Sequence, residues 1–307
     1  NISTMSMYTF ILLLLNLLGI SSSTKFTLVN QCIYTVWPAT LSNAGTPGLP
    51  GSATGFSLAP GSTNIISVPG SWSGRMWART HCNGGSTSGN FSCATGDCAT
   101  GSVVCSGSGA RPPATLVEFT LNGSDGLDFY DVSLVDGYNL PLMVRPVGGS
   151  GNCTSIGCMV DLNGSCPTEL RVLSEIGSNI NGVACKSACE AFGDPQYCCS
   201  GPNSTPDTCK PSKYSKFFKD ACPTAYSYAY DDATSTFTCD GADYVVTFCP
   251  TTTASGKSSG TESPEPSPTA IPFPPYYFIN KSYSLIPSSL FRLITALIWL
   301  SLYQIFD

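Results

Sequence analysis

Hydrophobic positions fall in short bursts that alternate with polar ones and are cut off by Gly, Pro and Ser. Residues 25–30 and 33–37 read as two paired strands. Residues 64–68 and 75–80 resume the alternation, and 140–144, 235–238 and 244–248 continue it. Residues 43–61 are dominated by Gly, Pro and Ser and read as loop, with Phe56 and Leu58 as short strand material. A three-to-four-residue period occurs clearly once, where Tyr214, Phe217, Phe218 and Ala221 place a helix over 212–221 and mark its core face. A shorter helix is expected within 183–192. Many short strands with little helix predict a mainly β chain built as a β-sandwich.

The most informative stretch is 111–137, RPPATLVEFTLNGSDGLDFYDVSLVDG. Residues 115–121 and 127–135 are rich in β-branched and aromatic side chains, and Asn122-Gly123 with Asp125-Gly126 between them mark a tight turn. The resulting hairpin carries Glu118, Asp131 and Asp136, with Arg111 just before it. These acids alternate with Leu116, Phe119, Phe129 and Leu134, which puts them in a partly dry groove. Carboxylates there are costly unless paired, and Arg111 is the nearest partner in the chain.

All 16 cysteines lie between Cys32 and Cys249, and ten of them fall within 153–239. An even, dense set predicts disulfides formed outside the cytoplasm, although counting alone fixes no pairing. His81 is the only histidine, which argues against a zinc site and against Ser-His-Asp or Cys-His catalysis. No metal and no cofactor is expected. Within 24–250, 11 Lys and Arg face 17 Asp and Glu, a net charge of −6. Such a surface is a poor match for nucleic acid or anionic lipid and suits neutral sugars or cationic partners.

Residues 1–23 carry an apolar core of the length of a signal peptide. Residues 251–289 form a Ser/Thr/Pro-rich stalk and spacer, and 290–307 end in an apolar run that reads as the signal for a glycosylphosphatidylinositol anchor, with a single transmembrane helix or a mis-annotated tail as the alternatives. Sequons for N-glycosylation stand at Asn90, Asn122, Asn152, Asn163, Asn203 and Asn280.

The stretch Gly89-Asn-Phe-Ser-Cys93-Ala-Thr-Gly-Asp-Cys98, followed by Gly101 and Cys105, resembles the thaumatin family signature. The likeness continues through residues 111–116, 128–132, 135–139, 195–199, 225–232 and 247–250, and it covers 24–250. It implies a flattened antiparallel β-sandwich core (about 24–79, 114–158 and 222–250), a small lobe over 80–113 and a disulfide-rich lobe over 159–221. It also implies eight disulfides: Cys32–Cys249, Cys82–Cys93, Cys98–Cys105, Cys153–Cys239, Cys158–Cys222, Cys166–Cys185, Cys189–Cys198 and Cys199–Cys209. Matched residue by residue, the acidic cleft of the family's defence members falls on Arg111, Glu118, Asp131, Asp136 and Asp231.

The resemblance makes the expected function a secreted or cell-surface, monomeric plant defence protein of antifungal type that binds β-1,3-glucan in that cleft. Phe91, Phe129, Tyr138 and Tyr230 are candidate stacking faces for the sugar. Two alternatives stand beside it. One is a weak endo-β-1,3-glucanase with Glu118 as the acid and Asp131 as base or nucleophile. The other is an interaction module displayed at the cell surface.

Overall fold

The computed structural model describes residues 23–84, 90–176 and 179–251. The expected signal peptide, most of the stalk and the apolar tail lie outside these residues. Twelve strands are formed: β1 (Ser23–Asn30), β2 (Trp37–Ser42), β3 (Thr63–Pro69), β4 (Ser73–Asn83), β5 (Ser92–Thr95), β6 (Leu116–Thr120), β7 (Asp128–Ser133), β8 (Leu142–Ser150), β9 (Ile156–Cys158), β10 (Arg171–Ile176), β11 (Asn179–Cys185) and β12 (Phe237–Phe248). The helices are short: α1 (Gly51–Thr54), α2 (Ala188–Phe192), α3 (Pro195–Cys198), α4 (Lys213–Ala221) and α5 (Asp232–Ser235).

One continuous sheet runs β2-β4-β6-β7-β12-β1-β3, with β5 added to β4, β8 added to β12 and β9 added to β8. β12 is the strand that curls it. Its first residues, Phe237 to Cys239, pair with β7, and the remainder pairs with β8 and β1. The two halves face each other across a core. Phe26 of β1 meets Phe119 of β6 edge-on at 4.6 Å, and Phe119 meets Tyr244 of β12 at 4.9 Å. Each such aromatic pair adds about 0.5–1.5 kcal/mol to the burial of its rings. A second apolar cluster, with Trp77, Leu116, Cys98 and Cys105, fills the opposite face of β4 and β6.

The sandwich predicted from alternation is present, with local differences. Residues 33–37 do not pair with β1. Buried Asn30 accepts from the Cys32 N–H at 2.9 Å and donates to the Tyr34 carbonyl at 2.9 Å, curling the chain into a bend that leaves Ile33 94% exposed. β1 pairs instead with β3 and, in parallel, with β12. The two late strands are one, since β12 passes through Asp240-Gly241 without a break. Residues 183–185 belong to a strand, β11, and the helix begins after Ser187, whose hydroxyl accepts from the Glu190 N–H at 3.2 Å. The helix expected over 212–221 forms, capped by Ser212 accepting from the Tyr214 and Ser215 N–H groups and by Ser215 accepting from the Ser212 N–H. Tyr214 and Phe218 are buried, as core packing requires.

All 16 cysteines are paired, in the eight pairs that the family resemblance implies. Cys32–Cys249 closes a loop of 217 residues, long enough to cost the unfolded chain about 5 kcal/mol of closure entropy. Residues 159–221 hold the separate two-stranded β10–β11 sheet and α2 to α4. Cys166–Cys185, Cys189–Cys198 and Cys199–Cys209 staple this stretch internally, and Cys158–Cys222 fastens its two ends together.

Candidate functional site

Three strands put three charged side chains in one row. The β4–β6 register sets Arg75 opposite Glu118, and the β6–β7 register sets Glu118 opposite Asp131. Directly opposed residues share a face of the sheet, with Cβ atoms about 4.5–5.5 Å apart. The adjacent row, Met76, Val117 and Val132, points the other way and is wholly buried in the core. Period-two alternation thus gives one face that is core throughout and one face that carries this charged row beside the Trp77 and Leu116 cluster.

Asp136 follows β7 in a turn closed by the Gly137 N–H on the Leu134 carbonyl at 3.0 Å. The far wall comes from residues 225–232. Tyr226 is fixed by its own N–H on the Val132 carbonyl and by the Leu134 N–H on its carbonyl, both at 2.8 Å. Its hydroxyl donates to Asp232 Oδ1 at 2.8 Å, at the start of α5. Arg75, Glu118, Asp131, Asp136, Tyr226 and Asp232, with Leu116 and Ser133, line an open cleft of about 350 Å³.

One guanidinium therefore shares the cleft with four carboxylates. Arg75 Nη2 lies 3.5 Å from Glu118 Oε1. Arg75 Nε and Asp131 Oδ1 are buried and have no hydrogen-bond partner among the described residues. Burial pushes the Glu118 carboxyl above the usual range; Arg75 opposes this and Asp136 adds to it. Asp131 goes further, up to about 8, chiefly through burial, then through the facing Glu118, with Arg75 opposing and Asp232 adding. Like charges on facing strands cannot both ionise cheaply, so the pair holds a proton near neutral pH. Asp131 is the better home for it, because Arg75 sits directly across from Glu118. Beyond Asp136, burial also lifts the Glu190 carboxyl, to about 7, against the pull of Lys186 at 3.8 Å.

Two residues matched from sequence lie elsewhere. Arg111 does not line the cleft. Its backbone N–H donates to the Asp97 carbonyl at 2.8 Å, its side chain is exposed, and it makes no ion pair with a described residue. Arg75 holds the position instead, because strand pairing brings it opposite Glu118. Asp231 is also displaced, by one residue. Its carboxylate accepts from the Ser227 N–H at 3.0 Å and the Ser227 hydroxyl at 2.9 Å, and pairs with Lys219 Nζ at 3.0 Å. It fastens the 227–231 turn to α4, while Asp232 faces the cleft. Glu118, Asp131 and Asp136 are brought together as expected from the hairpin.

None of the four aromatic candidates is the cleft's ring. Phe91 and Tyr138 are buried, the Tyr138 hydroxyl donating to the Val160 carbonyl at 2.9 Å. Phe129 and Tyr230 lie outside the lining, whereas Tyr226 is part of it. Tyr226 lay within a stretch already singled out by its family likeness. Arg75 carried the signal of its polar place between apolar neighbours on β4.

A curled β-sandwich with every cysteine paired and an acidic cleft on one sheet face is a module of the oxidising, extracellular kind. The chain belongs to the thaumatin family, whose description matches residues 30–250. It is 56% identical over 242 residues to thaumatin-like protein 1 of Arabidopsis thaliana, covering 77% of this chain and 89% of that one. It is 57% identical over 228 residues to pathogenesis-related protein 5 of the same plant, covering 74% and 91% respectively. Among solved structures, a laminaripentaose-producing β-1,3-glucanase bound to laminaritetraose aligns at TM-score 0.49 and 12% identity, over 74% of this chain and 99% of that one.

Proposed function

We propose that this chain is a secreted defence-type protein of antifungal action whose cleft binds β-1,3-glucan. The observation that carries this reading is the Arg75–Glu118–Asp131 row facing Asp136, Tyr226 and Asp232 across an open cleft. Ionised carboxylates accept hydrogen bonds from sugar hydroxyls, a protonated Asp131 and Arg75 donate to them, and Tyr226 offers an edge or a face. The acidic body repels phosphate polymers while leaving neutral polysaccharide free to approach.

Slow endo-hydrolysis is the second reading, favoured by the opposed pair itself. Burial raises Asp131 further than Glu118, which is the division a general acid and an ionised partner require. Their opposed placement puts the two carboxyls on one sheet face, the arrangement that a pair of acids acting on one glycosidic bond needs. In this assignment Asp131 is the proton donor and Glu118, facing Arg75, is the nucleophile, the reverse of the roles expected from sequence. The test is co-sedimentation with insoluble linear β-1,3-glucan together with a reducing-end assay on a soluble one. Binding with turnover well below 1 s⁻¹ supports the binding protein, turnover above about 1 s⁻¹ supports the enzyme, and neither binding nor turnover refutes both.

A further inference from the structure

Folding divides the sequons into open and closed ones. Asn122, in Asn122-Gly123-Ser124, is exposed at the tip of the β6–β7 hairpin. Asn152, in Asn152-Cys153-Thr154, is exposed just past the end of β8, and the Thr154 hydroxyl lies 3.4 Å from its Oδ1. Neither Nδ2 donates to a described protein group. Asn90 is exposed as well, but its sequon runs through buried Phe91 into β5.

Asn163 is different. Its Nδ2 donates to the Asn139 carbonyl at 3.0 Å, and its Oδ1 is buried. Asn139, 2% exposed, is the hub that joins three strands to this turn. Its side chain accepts from the Thr115 N–H at 3.0 Å and donates to the Ala78 carbonyl at 2.9 Å and to Thr95 Oγ1 at 2.8 Å. A sugar ring on Asn163 Nδ2 would replace one of its two hydrogens beside the Asn139 carbonyl, on an amide whose Oδ1 is already buried. It would also force open the turn that leads into Cys166–Cys185. Asn203 is half-buried and tied down within its own loop, its Nδ2 donating to the Thr208 carbonyl at 3.0 Å.

We infer that Asn122 and Asn152 are the N-linked glycan acceptors of the folded protein and that Asn163 and Asn203 stay bare. Glycans are added while the chain is still unfolded, so the closed sites are kept bare by selection: a chain modified at Asn163 has to give up the contact of this amide with the Asn139 backbone carbonyl in order to fold. Asn122 lies four residues beyond Glu118 and two past the end of β6, at most on the order of 13 Å away, so a glycan there stands at the hairpin tip and leaves the cleft open.

The test is expression of the full chain in a eukaryotic secretory host, followed by mass spectrometry of intact glycopeptides from the secreted protein. Peptides with Asn122 and Asn152 should carry N-acetylhexosamine-based glycans, and those with Asn163 and Asn203 should be unmodified. Ser165→Ala and Asn163→Gln both erase the third of these sequons. Only Asn163→Gln removes the inward donor, so it alone should lower the melting temperature, and neither should change the glycan mass. A glycan on Asn163 of the secreted protein, or bare Asn122 and Asn152, would overturn the assignment.

Discussion

Asp131→Asn should make the protein less sensitive to alkali. The native carboxyl titrates at about 8 against an ordinary 3.8, so the folded state holds a proton that the unfolded chain has lost. Between about pH 4 and pH 8 the native state therefore binds more protons, and stability falls as pH rises; above 8 the loss is complete. At about 1.4 kcal/mol per tenfold change in proton affinity, the rise caps the loss at about 6 kcal/mol. Water in the open cleft and proton sharing with Glu118 reduce this, and the expected net loss is about 2–3 kcal/mol. Asn keeps the shape and cannot ionise. Urea denaturation with the disulfides intact, at pH 4 and pH 8.5, gives the difference between variant and wild type at each pH. That difference should move by about 2–3 kcal/mol in favour of the variant at pH 8.5. A difference unchanged with pH, or one moving the other way, would refute the buried, proton-holding Asp131.

Arg75→Met removes the only cation among the described residues lining the cleft, so the Asp131 and Glu118 carboxyls, followed by NMR, should titrate at still higher pH; Arg111→Met should leave both unchanged. Asp231→Asn strips Lys219 of its ion pair and should lower stability by about 1–3 kcal/mol in thermal melts, with Glu118 and Asp131 keeping their titration. Loss of stability no greater than 0.5 kcal/mol would contradict its fastening role. Reduction of the disulfides should abolish cooperative unfolding, and a thiol assay on the unreduced protein should find almost no reactive groups; several per chain would contradict the eight pairs.

The fold class was legible because alternation and Gly/Pro punctuation are local signals. So was most of the cleft, because Glu118 and Asp131 sit on two strands of one hairpin, whose turn residues set the register. Arg75 was not, since its pairing with Glu118 is a contact between strands far apart in sequence, and nearness along the chain favoured Arg111 instead. Asp231 and Asp232 are adjacent and chemically alike. Only the packing of Lys219 against the turn shows that one is structural and the other faces the cleft. The parallel β1–β12 pair was hidden for the same reason, because nothing local says that the first described strand lies beside the last.

Calorimetric titration of a linear β-1,3-gluco-oligosaccharide into the full chain, wild type beside Glu118→Gln and Asp131→Asn, tests the central claim most directly. The account predicts saturable binding by the wild type, at least a tenfold loss in Glu118→Gln, about 1.4 kcal/mol, and a smaller loss in Asp131→Asn, whose amide stands in for the protonated acid, with melting temperatures at pH 5 nearly unchanged. Binding equally strong in all three proteins, or none in the wild type, would contradict it.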